Sequence, residues 1–135
     1  MVEVSVQDIR TRSAEALVAH GAGTWQANEV ARAVARAEET GNIICGLYYL
    51  ESYCRQLVSG RVVGTVEPVV ARPKPGVVTV NARFGFAQPA FSRALPRAVG
   101  AASDATPVSR AAPTALGRAL EKAGWANPKR AFTVT

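Results

Sequence analysis

The stretch Ile43-Ile44-Cys45-Gly46-Leu47-Tyr48-Tyr49-Leu50-Glu51-Ser52-Tyr53-Cys54-Arg55-Gln56-Leu57 decides how this chain is read. Ile43, Leu47, Leu50, Cys54 and Leu57 recur at alternating four- and three-residue intervals, the spacing of one buried stripe on a helix. Gly60 follows, and a glycine just past the last periodic residue supplies the left-handed conformation that closes a helix. A second stripe runs beside the first. Cys45, Tyr49 and Tyr53 lie at i, i+4 and i+8 and share a face, with Tyr48 and Ser52 flanking it. That face carries a thiol and phenols, groups that donate hydrogen bonds or move protons, and Cys45 lies near the helix start, where partial positive charge favours an anion. The same spacing also reads as an aromatic face packed on a neighbouring helix or subunit.

Two amphipathic runs precede this helix. In the first, Val6, Ile9, Ser13, Ala16, Leu17 and His20 recur at helical spacing and Gly21 ends the run. In the second, Thr24 is the predicted N-cap, Ala27, Val30, Ala31, Val34 and Ala37 share one face, and Glu29, Arg32, Arg36 and Glu39 lie off it, with closure near Gly41. His20 falls at a helix end where the backbone carries partial negative charge, which suits a capping or core role better than catalysis.

Beyond Gly60 the composition changes. Val66, Val69 and Val70, then Val77, Val78 and Val80, form two β-branched runs, and Arg72-Pro73-Lys74-Pro75-Gly76 between them suits a turn, which predicts two short strands. Phe84-Gly85-Phe86 reads as a loop, and Pro89 suits the first turn of a fourth helix running to about residue 102. Pro96 inside that helix removes a hydrogen bond at a cost of about 3 kcal/mol, which predicts a kink or a late start. Residues 101–113 read mostly as loop, Thr114 as the cap of a short helix through Ala123, and 131–134 as a last strand. The fold class is therefore α/β (α+β), with an N-terminal helical segment over 1–64 and a strand/helix segment over 65–135.

The chain has 135 residues, 48% hydrophobic and 19% charged, which excludes a multidomain machine. No apolar run approaches the roughly 18 residues that cross a bilayer. Glu3 and Asp8 among isolated valines leave no basic segment followed by an apolar one, so a cytoplasmic location is expected. Two cysteines and one histidine are too few for a disulfide scaffold or a four-ligand zinc site, and no metal is expected. There is no P-loop, no G-x-G-x-x-G after a strand and no nucleophilic triad.

The quoted stretch from Gly41, with Gly60, the Val66-Glu67-Pro68 run, Val77 to Val80 and Phe84-Gly85-Phe86-Ala87-Gln88, resembles the N-terminal part of the malate/L-lactate dehydrogenase family. This is a non-Rossmann group of NAD(P)-dependent oxidoreductases that includes sulfolactate, ureidoglycolate and cyclic-imine-reducing enzymes. The resemblance covers residues 1 to about 102, and Tyr53-Cys54 with Gly60-x-Val62-x-Gly64 looks most like the sulfolactate dehydrogenases. It implies the start of that fold and action on a 2-hydroxy or 2-oxo acid of the malate, lactate or sulfolactate type, or on a cyclic imino acid. It also implies NAD or NADP as cofactor, and a homo-oligomer or partner chain. The family motif resembles Asp/Ser-Ser-His-Gly followed by an arginine and a tyrosine on one helix. Here the histidine position is Cys45, the motif glycine is Gly46, the arginine position is Tyr49 and the tyrosine is Tyr53. A thiol is a weak donor and a phenol lacks the permanent, bidentate charge of arginine. By resemblance Cys45, Tyr49 and Tyr53 are the candidate catalytic residues, while no cofactor-binding residue is assigned. The family's later cofactor-contacting motifs have no counterpart, so a truncated chain is expected, inactive alone. The alternative is a non-catalytic subunit or interaction module that pairs with another chain.

The net charge of +6 is uneven. Through residue 71 there are eight acidic and six basic residues, and from Arg72 onward ten basic and two acidic ones. A small basic nucleic-acid-binding protein is the remaining function class. The basic residues stand singly, without interleaved aromatic side chains or a reading helix, which disfavours it.

Overall fold

Ser5 opens the first helix: its side chain accepts the Asp8 backbone N–H at 3.0 Å, which satisfies one of the N–H groups a helix start leaves without a partner. The computed structural model describes residues 3–109. The element order is α1 (Val6–Ala19), α2 (Thr24–Glu39), a short 3₁₀ turn (Ile43–Cys45), α3 (Leu47–Val58), β1 (Val69–Lys74), β2 (Val77–Asn81) and α4 (Ala87–Ser109). Helices followed by a small sheet and a further helix make the α+β arrangement that the apolar periodicity predicts. The expected helix over Thr114–Ala123 and the expected strand over 131–134 lie outside the described residues.

Within the described chain, residues 3–70 and 80–94 form one compact unit and 71–79 and 95–109 form another. The core of the first unit is built from Leu17 on α1, Ala27, Val30 and Val34 on α2, Cys54 and Leu57 on α3, and Ala22 and Phe86 from connections, with Leu50, Tyr53 and Val62 half-buried against it. Leu17, Val30 and Val34 are essentially sealed from solvent, and each contributes about 1.5–3 kcal/mol by burial. Positive φ angles at Gly21 and Gly60 turn the chain at the ends of α1 and α3, where a side chain would be strained. The Gly23 N–H donates to the Gly64 carbonyl at 2.9 Å, tying the α1–α2 connection to the segment after α3. Gly64 is packed so closely there that a Cβ would meet the Gly21 carbonyl oxygen at 2.7 Å and the Ala22 Cα at 2.8 Å.

Four sequence expectations need correction. Gly23, not Thr24, is the N-cap of α2. The third helix does not begin at Ile43: Gly46 separates a 3₁₀ turn from α3, the four-residue register is lost across it, and Ile43 and Leu47 are exposed while Cys54 and Leu57 stay buried. Strand β1 runs through Arg72 and Pro73 to Lys74, so the connection shrinks to Pro75-Gly76. The Arg72 guanidinium donates to the Pro75 carbonyl across that turn. Finally, α4 starts at Ala87 and continues through Pro96 and through 101–109, where a loop was expected. The alanines at 94, 98, 101, 102 and 105 favour a helix on either side of Pro96, but each contributes only a few tenths of a kcal/mol against the cost of about 3 kcal/mol, so local propensity alone does not account for the continuous helix.

Candidate active site on helix α3

The junction between α2 and α3 positions the candidate residues. Helix α3 has no side-chain cap of its own and no acidic residue in its first turn. Glu38, near the end of α2, substitutes for both: its Oε1 accepts the Leu47 backbone N–H at 2.6 Å. The same carboxylate fills the space beside Gly46, where a Cβ would overlap its Oε1 and approach its Cδ to 2.6 Å. Cys45 stands one residue earlier, exposed on the 3₁₀ turn rather than on α3.

From this start α3 carries a ladder of rings. Tyr48 and Tyr49 meet edge to face with centroids 5.8 Å apart, Tyr49 and Tyr53 lie 6.1 Å apart at a 31° tilt, and Tyr53 meets Phe86 edge to face at 5.6 Å. Tyr48 is 78% exposed and Tyr49 41%, whereas Tyr53 is half-buried and Phe86 buried, so the ladder descends from solvent into the core. At its lower end the Gln88 amide Nε2, from the first turn of α4, donates to the Tyr53 hydroxyl at 3.3 Å. That hydroxyl therefore accepts one bond and keeps its own proton to donate. Tyr49 and Tyr53 are brought together as the spacing predicts, whereas Cys45, expected on the same helix face, lies on the preceding 3₁₀ turn and is not part of the ring ladder.

Glu38, Phe86 and Gln88 were not found from sequence, because each reaches the site from another element. The Phe84-Gly85-Phe86 segment offered the one signal for Phe86. The loop before it is tightly held: Arg83 and Phe84 both have positive φ, the Arg83 N–H donates to the Asn81 side chain at 2.8 Å, and the Phe84 carbonyl accepts the Val63 N–H at 2.9 Å. Phe84 itself is 85% exposed. His20 is the C-cap of α1, with its Nδ1 2.7 Å from the Ala16 carbonyl oxygen. Cys54 lies on the buried side of α3, and burial pushes its thiol up from the ordinary range.

Among the described residues no three His, Cys, Asp or Glu side chains assemble in a way that could hold a metal ion, and no helix is long and apolar enough to cross a membrane. Side chains of the chain itself already lie at three of the helix starts where a dinucleotide phosphate could be held. Open backbone N–H groups at a helix start are one common way of holding such phosphates. Ser5 caps α1, the Gln26 side chain lies across the start of α2, and Glu38 occupies the start of α3. An open groove of about 660 Å³ runs along α1 and the start of α2 and includes Arg10, Thr11, Glu15 and Asn28.

The sequence pattern of malate/L-lactate dehydrogenase matches residues 4–108. The chain belongs to the malate/L-lactate dehydrogenase family. Within that family it is 33% identical over 103 residues to a Δ(1)-pyrroline-2-carboxylate reductase of Ancylobacter novellus, a match that covers 76% of this chain and 30% of the reductase. It is 36% identical over 96 residues to a (2R)-3-sulfolactate dehydrogenase (NADP(+)) of Chromohalobacter salexigens, covering 71% of this chain and 28% of that enzyme. The crystal structure of Δ1-piperideine-2-carboxylate reductase from Pseudomonas syringae pvar. tomato superposes with a TM-score of 0.75 at 30% identity, over 78% of this chain and 32% of the reductase. This member of the malate/L-lactate dehydrogenase family thus spans about a third of the length of the relatives it matches, and its helices and hairpin are the N-terminal part of their fold.

Proposed function

We propose that this chain provides the substrate-side helical part of an NAD(P)-dependent oxidoreductase that acts on a 2-hydroxy or 2-oxo acid or on a cyclic imino acid. The observation that carries the proposal is the Tyr53 hydroxyl, held by Gln88 in a half-buried position at the foot of the aromatic ladder with its own proton free to donate. Tyr53 is the group that gives a proton to, or takes one from, the reacting oxygen or nitrogen of the substrate. Tyr49 orients the substrate by a hydrogen bond from its phenol, and Cys45 borders the opening. With Tyr49 at the arginine position, the substrate carboxylate is held by neutral donors, so millimolar rather than micromolar affinity is expected. Contacts to NAD or NADP come from residues outside 3–109 or from a partner chain. The protein acts in the cytoplasm.

The test is oxidation of NADH and of NADPH by the purified chain, with pyruvate, 3-sulfopyruvate and Δ1-piperideine-2-carboxylate as substrates and fluorescence titration of each cofactor in parallel. Substrate-dependent oxidation that Tyr53→Phe abolishes supports the proposal. Substrate-dependent oxidation that Tyr53→Phe leaves unchanged, or failure of the acids to bind the chain at all, refutes it, whereas failure of both cofactors to bind at millimolar concentration refutes only autonomous turnover.

A specific observation favours a second reading, in which the chain is a subunit that pairs with another copy or another chain. Ile43 is 64% and Ile44 63% exposed on the turn beside the equally open Tyr48, a cluster that water covers at a cost. Sedimentation equilibrium tests pairing with another copy: a monomer at 100 μM removes it.

A further inference from the structure

A helix start without its own cap is open to an anion, because its first N–H groups lack partners and its dipole presents partial positive charge. The start of α3 is such a place by sequence: Gly46 has no side chain and Leu47-Tyr48-Tyr49 has no acid. It is nevertheless occupied from within the chain. Glu38 is delivered by a turn of α2 anchored through the buried Val34 and Ala35. Its carboxylate accepts the Leu47 N–H and fills the volume that the absent Cβ of Gly46 leaves open. The pairing is reciprocal. Glycine at 46 makes room for the carboxylate, and the carboxylate supplies the cap that glycine lacks.

We propose that Glu38 is the positioning residue of the candidate site and that its carboxylate closes the start of α3 to anionic ligands. Two consequences follow for the face below. The 3₁₀ turn with Cys45 and the first turn of α3 with Tyr49 are fixed relative to α2 by one charge-assisted hydrogen bond. An acid that reaches the tyrosines is turned so that its carboxylate points to the phenols and away from the helix start, where a like charge already sits. Glu38 thereby selects the orientation of the ligand without touching the reacting atoms. This rests on the 45–53 face being the functional site, but its experiment needs neither substrate nor cofactor.

The experiment measures alkylation of Cys45 by iodoacetate, an anion, and by iodoacetamide, which is neutral and nearly the same size. Cys54 is buried, and peptide mass assigns the label to Cys45. Glu38→Gln keeps an oxygen for the Leu47 N–H and removes the charge. The rate with iodoacetate relative to that with iodoacetamide is expected to rise about two- to threefold, the effect of one nearby charge in a largely aqueous setting, with little change in Tm. Glu38→Ala also removes the cap, and both rates are expected to rise as the first turn of α3 frays. Gly46→Ala is expected to lower Tm in the wild-type background, where it expels the carboxylate, and to have a much smaller effect in the Glu38→Ala background. An unchanged reagent ratio in Glu38→Gln overturns the proposed exclusion of anions. An equal effect of Gly46→Ala in both backgrounds overturns the positioning role. Because Glu38→Gln retains the hydrogen bond, the test survives if Glu38→Ala does not fold. If the reagent ratios and the Gly46→Ala dependence come out as expected but acids fail to bind, the functional reading of the face fails and Glu38 keeps only its place in the local structure.

Discussion

Replacing Tyr53 by phenylalanine separates the proposed chemical role from a packing role, because the packing rests on the ring and the proposed chemistry on the hydroxyl. The ring carries the packing: it meets Phe86 edge to face at 5.6 Å and Tyr49 at 6.1 Å, and Tyr53→Phe keeps both contacts. The hydroxyl carries one bond, accepted from Gln88 at 3.3 Å, a long bond between half-buried groups. Losing it costs about 0.5–1 kcal/mol, since water can reach the Gln88 amide in its place. With a urea dependence of about 1.5–2 kcal/mol per molar for a chain of this size, the midpoint shifts down by roughly 0.3–0.6 M. Loss of one donor to the substrate, by contrast, weakens binding of an acid by about tenfold. Urea denaturation followed by circular dichroism gives the first quantity, and a ligand titration on the same samples gives the second. Tyr48→Phe, at an exposed ring, serves as the control and is expected to change neither. A Tyr53→Phe variant that binds acids as well as the wild type refutes the chemical role. One that loses more than about 2 kcal/mol shows that the hydroxyl is chiefly structural.

Three further outcomes are expected. Gly64→Ala drives a methyl against the Gly21 carbonyl oxygen and the Ala22 Cα, backbone atoms that cannot step aside, and strains the bond from the Gly23 N–H; a loss of about 2–3 kcal/mol in urea denaturation is expected. Gly100→Ala, inside α4 with nothing within 4 Å of the new Cβ, is expected to raise stability by about 0.5–1 kcal/mol in the same assay. The buried Cys54 thiol resists ionisation in the folded chain more than in the unfolded one. Stability from this group is therefore complete below the ordinary thiol range and declines as pH rises through and beyond it, near pH 9. Cys54→Val is expected to flatten the difference between Tm at pH 8 and Tm at pH 10.

The helices of the first unit were legible because each buries one stripe against the others. Ala27, Val30 and Val34 announce α2, and Cys54 and Leu57 announce the buried side of α3, since apolar spacing and burial have the same geometric cause. Tyr49 and Tyr53 were legible for the same reason, as a second stripe on that helix. What periodicity does not encode is where a run begins: Ile43 fits the stripe by number, yet Gly46 and the Glu38 cap set the start of α3 four residues later. Pro96 did not delay the start of α4, which begins at Ala87 and runs past it, and the small, polar composition of 101–109 concealed the helix's continuation. Gln88 and Glu38 were invisible as site residues, since contacts over 35 and 9 positions depend on tertiary packing rather than on any local pattern.

The account stands on the α3 face as a place where a small organic acid binds. Its most direct test is a nuclear magnetic resonance titration of the intact chain, following the ring signals of Tyr48, Tyr49 and Tyr53 as pyruvate, 3-sulfolactate or Δ1-piperideine-2-carboxylate is added. Saturable shifts of Tyr49 and Tyr53 at millimolar acid, reduced about tenfold in apparent affinity by Gln88→Ala or Tyr49→Phe, are predicted. Rings that stay unmoved to 50 mM contradict it.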